Sequence, residues 1–277
     1  MSELCLHGLR SLVLVGDYGS GKSEVAVNLA LKLADDARAA IDRVDSSQFT
    51  VDRQRKADGR QTSSSIAIAD LDLVNPYFRC REAREPLEQA GVRVVVPGGY
   101  EFADLPILLP EIKGLLQDAQ AVSVLDVGGD EVGARVLASL APFAAVEHTA
   151  FWFVVNASRP FNDTVEGVQR AVARVEGAAG LRLTGLVANT HLMQETTPEM
   201  VVDGVRLAEQ VAATRDVPVA FVAVMEGVAE QLRERGVELS QPLLVMRRLL
   251  VPPWVRRDAT PRVGPAALRD MARGRAT

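Results

Sequence analysis

Short apolar runs rich in β-branched residues alternate along this chain with longer segments whose apolar residues recur at helical spacing. The first run, 12–15, leads through glycines into residues 22–33, where Val25, Ala26, Leu29, Ala30 and Leu33 share one helical stripe. The same alternation predicts strands at 65–69, 92–96, 121–125, 151–155, 183–188 and 217–224, with an edge strand within 243–251. Between them it predicts helices at 81–90, 105–116, 132–140, 164–176, 198–214 and 228–235. Asp163 is the expected N-cap of the fourth of these, and Thr197, followed by Pro198, of the fifth. Strands that are apolar throughout are buried on both faces, and strand–helix alternation builds βαβ units. The expected fold is α/β: a mostly parallel, doubly wound sheet flanked by helices.

Two stretches break the pattern. Residues 35–64 are rich in Asp, Arg, Gln and Ser, and read as a polar surface insertion with a short helix near 37–44. Residues 252–277 read as a C-terminal extension with a last helix at 265–273. No internal repeat is visible, so one domain over 1–277 is expected.

Composition narrows the function classes. At 277 residues and 48% hydrophobic, the chain has ample material for a core. A net charge of -5 gives no general attraction for nucleic acid. Two cysteines, Cys5 and Cys80, make no disulfide framework or metal knuckle, and the histidines at 7, 148 and 191 are far apart in sequence. The opening apolar run is much too short for a membrane span, and a cytoplasmic protein is expected. Of the 31 basic residues only four are lysines (Lys22, Lys32, Lys56 and Lys113), so a lysine at a motif position carries weight.

Such a motif follows the first strand. Gly16-Asp17-Tyr18-Gly19-Ser20-Gly21-Lys22-Ser23 fits G-x-x-x-x-G-K-[ST], the P-loop. By average composition, a chance match in a chain this long is on the order of one in a hundred. Glycines let the backbone approach phosphate oxygens with its N–H groups turned inward, and the following helix adds its N-terminal positive end. Lys22 is expected to meet the β- and γ-phosphates, and the Ser23 hydroxyl to meet Mg²⁺. A second carboxylate for the Mg²⁺ shell is expected from Asp126, at the end of the run Val122-Ser123-Val124-Leu125. Asp126 to Gly129 also forms D-x-x-G, in which the Gly129 N–H can sense a γ-phosphate. Asp70-Leu71-Asp72 leaves another strand end. Such a pair of carboxylates can orient water or complete a Mg²⁺ shell, the alternative being a solvated turn with Asn75-Pro76.

This order of motifs, with the longer string Asp70-Leu71-Asp72-Leu73-Val74-Asn75-Pro76-Tyr77-Phe78-Arg79, resembles the MinD/ParA/CobQ/CobB group of P-loop NTPases, the SIMIBI class, in an ATP-binding branch. The resemblance spans about residues 10–225. It implies that Asp72 positions the hydrolytic water with Asp70 as companion, that Asp126 supports Mg²⁺, and that Gly129 is the switch glycine. It further implies that Asn189, after a later strand, hydrogen-bonds the base, with a plain strand-end asparagine as the alternative. No N-K-x-D occurs to favour guanine. Relatives of the MinD and ParA type carry a second lysine where this chain has Asp17, a departure that removes their lysine contact across a dimer. Arg79 and Arg81 are the nearby cations to weigh in its place.

The function expected is therefore that of a Mg²⁺-dependent, ATP-binding ATPase whose hydrolysis switches a protein partner. ATP and Mg²⁺ are its cofactors, Lys22, Asp72 and Asp126 its catalytic residues, and Ser23, Asp70, Asp72 and Asp126 its metal-side groups. Residues 16–23, Gly129 and Asn189 hold the nucleotide, and a partner protein or a homodimer is expected. The alternative is an enzyme like CobQ, CobB or dethiobiotin synthetase, activating a small carboxylate with ATP. Arg159, beyond the strand at 151–155, is a secondary candidate contact. Cys80 is read as a small buried residue and Trp152 as core.

Overall fold

The computed structural model describes residues 4, 6, 8–47, 65–72, 79–96, 109–129 and 131–251. In chain order the elements are β1 (Ser11–Val15), α1 (Lys22–Ser47), β2 (Ser65–Leu71), a 3-10 turn (Cys80–Ala83), α2 (Arg84–Gln89), β3 (Arg93–Val95), α3 (Leu109–Gln117), β4 (Ala121–Val127) and α4 (Glu131–Leu140). There follow β5 (Thr149–Val155), α5 (Val165–Ala179), β6 (Gly185–Ala188), α6 (Pro198–Arg215), β7 (Val219–Met225), α7 (Glu226–Glu234) and β8 (Leu243–Met246). The eight strands form one sheet in the order β3-β2-β4-β1-β5-β6-β7-β8, all neighbours parallel. This is the expected α/β fold, a parallel, doubly wound sheet flanked by helices. β1 lies between β4 and β5, where the winding reverses, and in open parallel sheets ligands bind beyond the carboxyl ends at such a point.

Strand alternation sorts the core into two layers. Val13, Val15, Leu125, Val127, Phe151 and Phe153 face α4 and α5, burying Ala134, Leu137, Val168 and Val172. Leu12, Leu14, Ile66, Ile68, Val124 and Trp152 face α1, burying Val25, Ala26, Leu29 and Ala30. Trp152 is core as expected, edge-on to Phe221 with ring centroids 5.6 Å apart. By the same parity Asp70 and Asp126 share the α1 face, and they are paired in register across β2 and β4. The sheet therefore places two carboxylates side by side beneath the P-loop helix.

Several elements differ from expectation. α1 does not stop near residue 33 but runs to Ser47, absorbing the first part of the expected insertion and its short helix. Its extension carries helix-favouring residues, with Lys32 on Asp36 at 2.5 Å and Arg38 near Asp35, so here the polar composition marks an exposed helix rather than a loop. Residues 48–64 lie outside the described residues, as do 73–78, 97–108 and the expected C-terminal extension 252–277. The N-cap of α5 is Thr164, whose hydroxyl accepts from the Gly167 N–H at 3.1 Å, and not Asp163. Thr197 caps α6 as expected, with Pro198 at its start. The helix expected at 81–90 is divided into the 3-10 turn and α2. Among the described residues no helix is long and apolar enough to cross a membrane.

Candidate functional site

The P-loop connects β1 to α1. The Ser20 N–H donates to the Asp17 carbonyl at 3.0 Å, and the Val25 N–H to the Gly21 carbonyl at 3.0 Å, which starts the helix. Gly21 has φ +82°, a conformation side chains resist, and a Cβ there would lie 2.5 Å from Asn189 Nδ2. Gly129 is required by close approach, since its Cβ would lie 2.0 Å from the carbonyl oxygen of Gly16. The D-x-x-G segment is thus pressed directly onto the P-loop. Tyr18 is exposed, whereas Ser20, Lys22 and Ser23 are buried.

Beneath the loop lie the carboxylates. Lys22 Nζ is 4.0 Å from Asp72 Oδ2, both side chains being buried. β2 ends at Leu71, and the Asp72 N–H turns back to Asp70 Oδ1 at 3.2 Å, so Asp70-Leu71-Asp72 is a strand end followed by a turn. Burial, then the charge of Asp126, pushes the Asp70 carboxyl up to about 7. Burial pushes Asp126 up to about 6, opposed by the Lys22 ammonium and the neighbouring Ser23 hydroxyl. Neither Asp126 oxygen makes a hydrogen bond within the protein, and Ser20 Oγ and Asp70 Oδ2 also lack one. Buried polar atoms are ordinarily partnered. This set of orphaned oxygens around a buried lysine and hydroxyl fits an anionic phosphate chain accompanied by a hard divalent cation.

Asp17, the departure noted above, is held by two groups. Arg174 of α5 pairs with one carboxylate oxygen, and Asn162 Nδ2 donates to the other at 3.0 Å. The guanidinium neutralises the acid that stands beside the loop. Truncating Arg174→Ala should therefore weaken nucleotide binding about threefold, roughly what a partly exposed ion pair supplies. Asp17→Ala in the same chain should restore it. Equal affinities of wild type and Arg174→Ala by calorimetry would deny the pair this role.

The other face of the loop is wired to the ends of β5 and β6. Arg159 Nε donates to the Gly19 carbonyl at 2.8 Å, and Asn189 Nδ2 to the Ser20 carbonyl at 2.7 Å. Asn156, fully buried, donates to the His191 carbonyl at 3.1 Å and accepts from the His191 N–H at 3.2 Å. The Asn189 amide nitrogen is therefore engaged on the loop backbone, while its Oδ1 has no hydrogen-bond partner. Burial and the positive charges of Arg159 and Arg248 push His191 down to about 4, leaving it neutral near pH 7.

A cleft of about 810 Å³ opens from the P-loop, past Arg159 and His191, to Met225, Met246 and Leu250. Arg247, Arg248 and Leu250 line it, in the segment 247–250 that leaves the β8 ladder and is held by α1. Asn28 donates to the Arg247 carbonyl at 3.0 Å and accepts from the Arg247 N–H at 2.9 Å, taking the place of a neighbouring strand. Glu24 accepts from the N–H groups of Leu249 at 2.7 Å and Leu250 at 3.2 Å, and burial raises its carboxyl. Asn28→Ala removes both bonds to Arg247 and should cost about 1–2 kcal/mol. A lowered thermal midpoint, with faster amide exchange confined to 247–250, is the expected readout, and unchanged exchange there would refute the clamp.

The structure thus gathers residues 16–23, Asp70, Asp72, Asp126, Gly129 and Asn189 at one end of the sheet. It places the expected phosphate-side groups together and puts the Asn189 donor on the loop. Arg79 and Arg81 lie by the Asp70 carboxylate, with Arg81 Nε 3.8 Å from Oδ2. Sequence reading missed Arg174, Asn162, Glu24 and Asn28, all of which act over long sequence separations. Only the buried helical position of Asn28, a polar residue flanked by apolar Val27 and Leu29, offered a local signal.

No family model and no curated protein matches this chain. Among solved structures it is similar to the crystal structure of FtsY from Mycoplasma mycoides, at 14% identity and a TM-score of 0.46, over 78% of this chain and 60% of that one.

Proposed function

We propose that the protein is a Mg²⁺-dependent ATPase of the MinD/ParA-like kind, whose hydrolysis switches a protein partner or a second copy of the chain. The observation that carries this reading is the buried Lys22 beneath a glycine loop, surrounded by orphaned oxygens of Ser20, Asp70 and Asp126. Lys22 and the loop N–H groups would bind the β- and γ-phosphates, and Ser23 and Asp126 would hold Mg²⁺. When bound, Mg²⁺ supplies charge neutralisation across the phosphates. Asp72, next to Lys22, would orient the attacking water, and Gly129 would follow the γ-phosphate through its contact with the loop. The apolar side chains of Met225, Met246 and Leu250 that line the cleft suit a base. ATP is taken as the nucleotide because the string from Asp70 to Arg79 resembles an ATP-binding branch of this group.

The test is hydrolysis of Mg²⁺-ATP by wild type and Asp72→Asn. Turnover should fall at least tenfold in the variant, while the dissociation constant for ATP changes by less than about threefold. Turnover equal to wild type would remove Asp72 from the chemistry, and failure of the wild type to bind ATP would end the reading altogether.

A further inference from the structure

The apolar layer beneath α1 contains a group that the phosphate site does not use. Cys80, fully buried, opens the 3-10 turn that follows β2 in the described chain. One donor atom each from Cys80, Asp70 and Asp126 lie within 4.8 Å of one another, and all three residues are buried. Asp70 Oδ1 is occupied by the Asp72 N–H, so Oδ2 is the oxygen left for this cluster. Both Asp126 oxygens are without hydrogen bonds at 0% exposure. These unsatisfied oxygens are evidence for a ligand independent of the cysteine itself.

We propose that Asp70, Cys80 and Asp126 form a site for a thiophilic divalent cation of the zinc type, distinct from the Mg²⁺ of the nucleotide. The donor set decides the class. Mg²⁺ takes oxygen ligands, whereas a thiolate selects zinc, cobalt or ferrous iron. Bond lengths of about 2.0–2.3 Å bring three donors closer together than this limit, a gap that small side-chain rotations close. Three protein ligands leave a fourth position for water or an incoming group. On binding, the thiol proton passes to solvent and a metal–sulfur bond forms, with no change of oxidation state. Arg79 and Arg81 both act on Asp70, and Arg81 Nε stands 3.8 Å from Oδ2. The Arg81 side chain is 40% exposed, so it can withdraw to solvent as the metal enters. Asp126 has two free oxygens, and Mg²⁺ held with Ser23 would still leave one for this site.

The test is titration of the nucleotide-free, full-length protein with Co²⁺, followed by absorbance. Wild type should bind one equivalent and develop the near-ultraviolet band of a thiolate–cobalt bond. Cys80→Ser should lose the band and Cys5→Ser should keep it. Asp126→Asn should weaken Co²⁺ affinity at least tenfold, and Zn²⁺ should displace the Co²⁺ while excess Mg²⁺ leaves the band in place. A folded wild type without the band, a band that disappears with Cys5 instead, or full affinity in Asp126→Asn would each overturn the site. Because no nucleotide is present, these outcomes are separate from the fate of the ATPase reading.

Discussion

Lys22→Ala is expected to weaken Mg²⁺-ATP binding at least a hundredfold by calorimetry, with hydrolysis lost alongside. Lys22 is buried and has one carboxylate 4.0 Å away, so its ammonium is already desolvated and aimed before a nucleotide arrives. A charged hydrogen bond to phosphate contributes about 1.5–3 kcal/mol, and two of them account for a change of that size. The same substitution takes the counter-charge from Asp72 and from Asp126, whose carboxyl Lys22 pulls down. The metal-free protein should therefore also melt earlier, because a buried carboxylate is left without its cation. Near-ultraviolet circular dichroism establishes that the variant is folded before binding is compared. An ATP dissociation constant within threefold of wild type in a folded variant would mean that the loop does not grip a triphosphate through this side chain.

Metal-free wild type should lose stability relative to Asp126→Asn as pH rises from about 4 to 6. Asp70 and Asp126 are raised from 3.8 to about 7 and about 6 in the folded state. Well below 3.8 both groups are protonated whether the chain is folded or not, and burial then costs nothing through ionisation. Between that point and the folded values, the unfolded chain releases protons that the folded chain still holds, so stability falls as pH increases. His191, lowered from 6.5 to about 4, acts in the opposite direction, losing stability as pH falls through that interval. Taking the difference between the two proteins at each pH cancels His191. The gap in thermal midpoint should widen by about 5–10 °C across these roughly two pH units, given about 1.4 kcal/mol per unit and 2–4 °C per kcal/mol for a domain of this size. Added Mg²⁺ should narrow the gap at pH 8 by neutralising wild-type Asp126. A gap that stays constant with pH would show that Asp126 ionises freely in the folded protein.

How much of this was legible beforehand depends on the range of the interactions. The parallel sheet was legible because strands buried on both faces carry unbroken apolar runs, as β1 and β5 do. The P-loop was legible because its chemistry resides in eight consecutive residues with fixed spacing. Helix limits were less legible. Residues 35–47 look like a loop by polarity, yet they continue α1, and 35–42 are exposed or half-exposed, since exposure permits polar residues without ending a helix. The cap of α5 was misplaced by one residue because Asp163 and Thr164 are both good caps, and only backbone geometry chooses between them.

Local order in the chain determined the α/β alternation, the glycine loop after β1 and the acidic strand ends, because each is written in adjacent residues. Tertiary structure alone decided that Asp70 and Asp126 stand in register on one face, that Cys80 joins them, and that Arg174 neutralises Asp17 across 157 residues. It also decided that Asn28 and Glu24 fasten residues 247–250 beside the cleft. The physical reason is that side-chain parity and strand order are properties of the assembled sheet. A carboxylate's partner, and so its proton affinity, exists only once strands distant in sequence have paired.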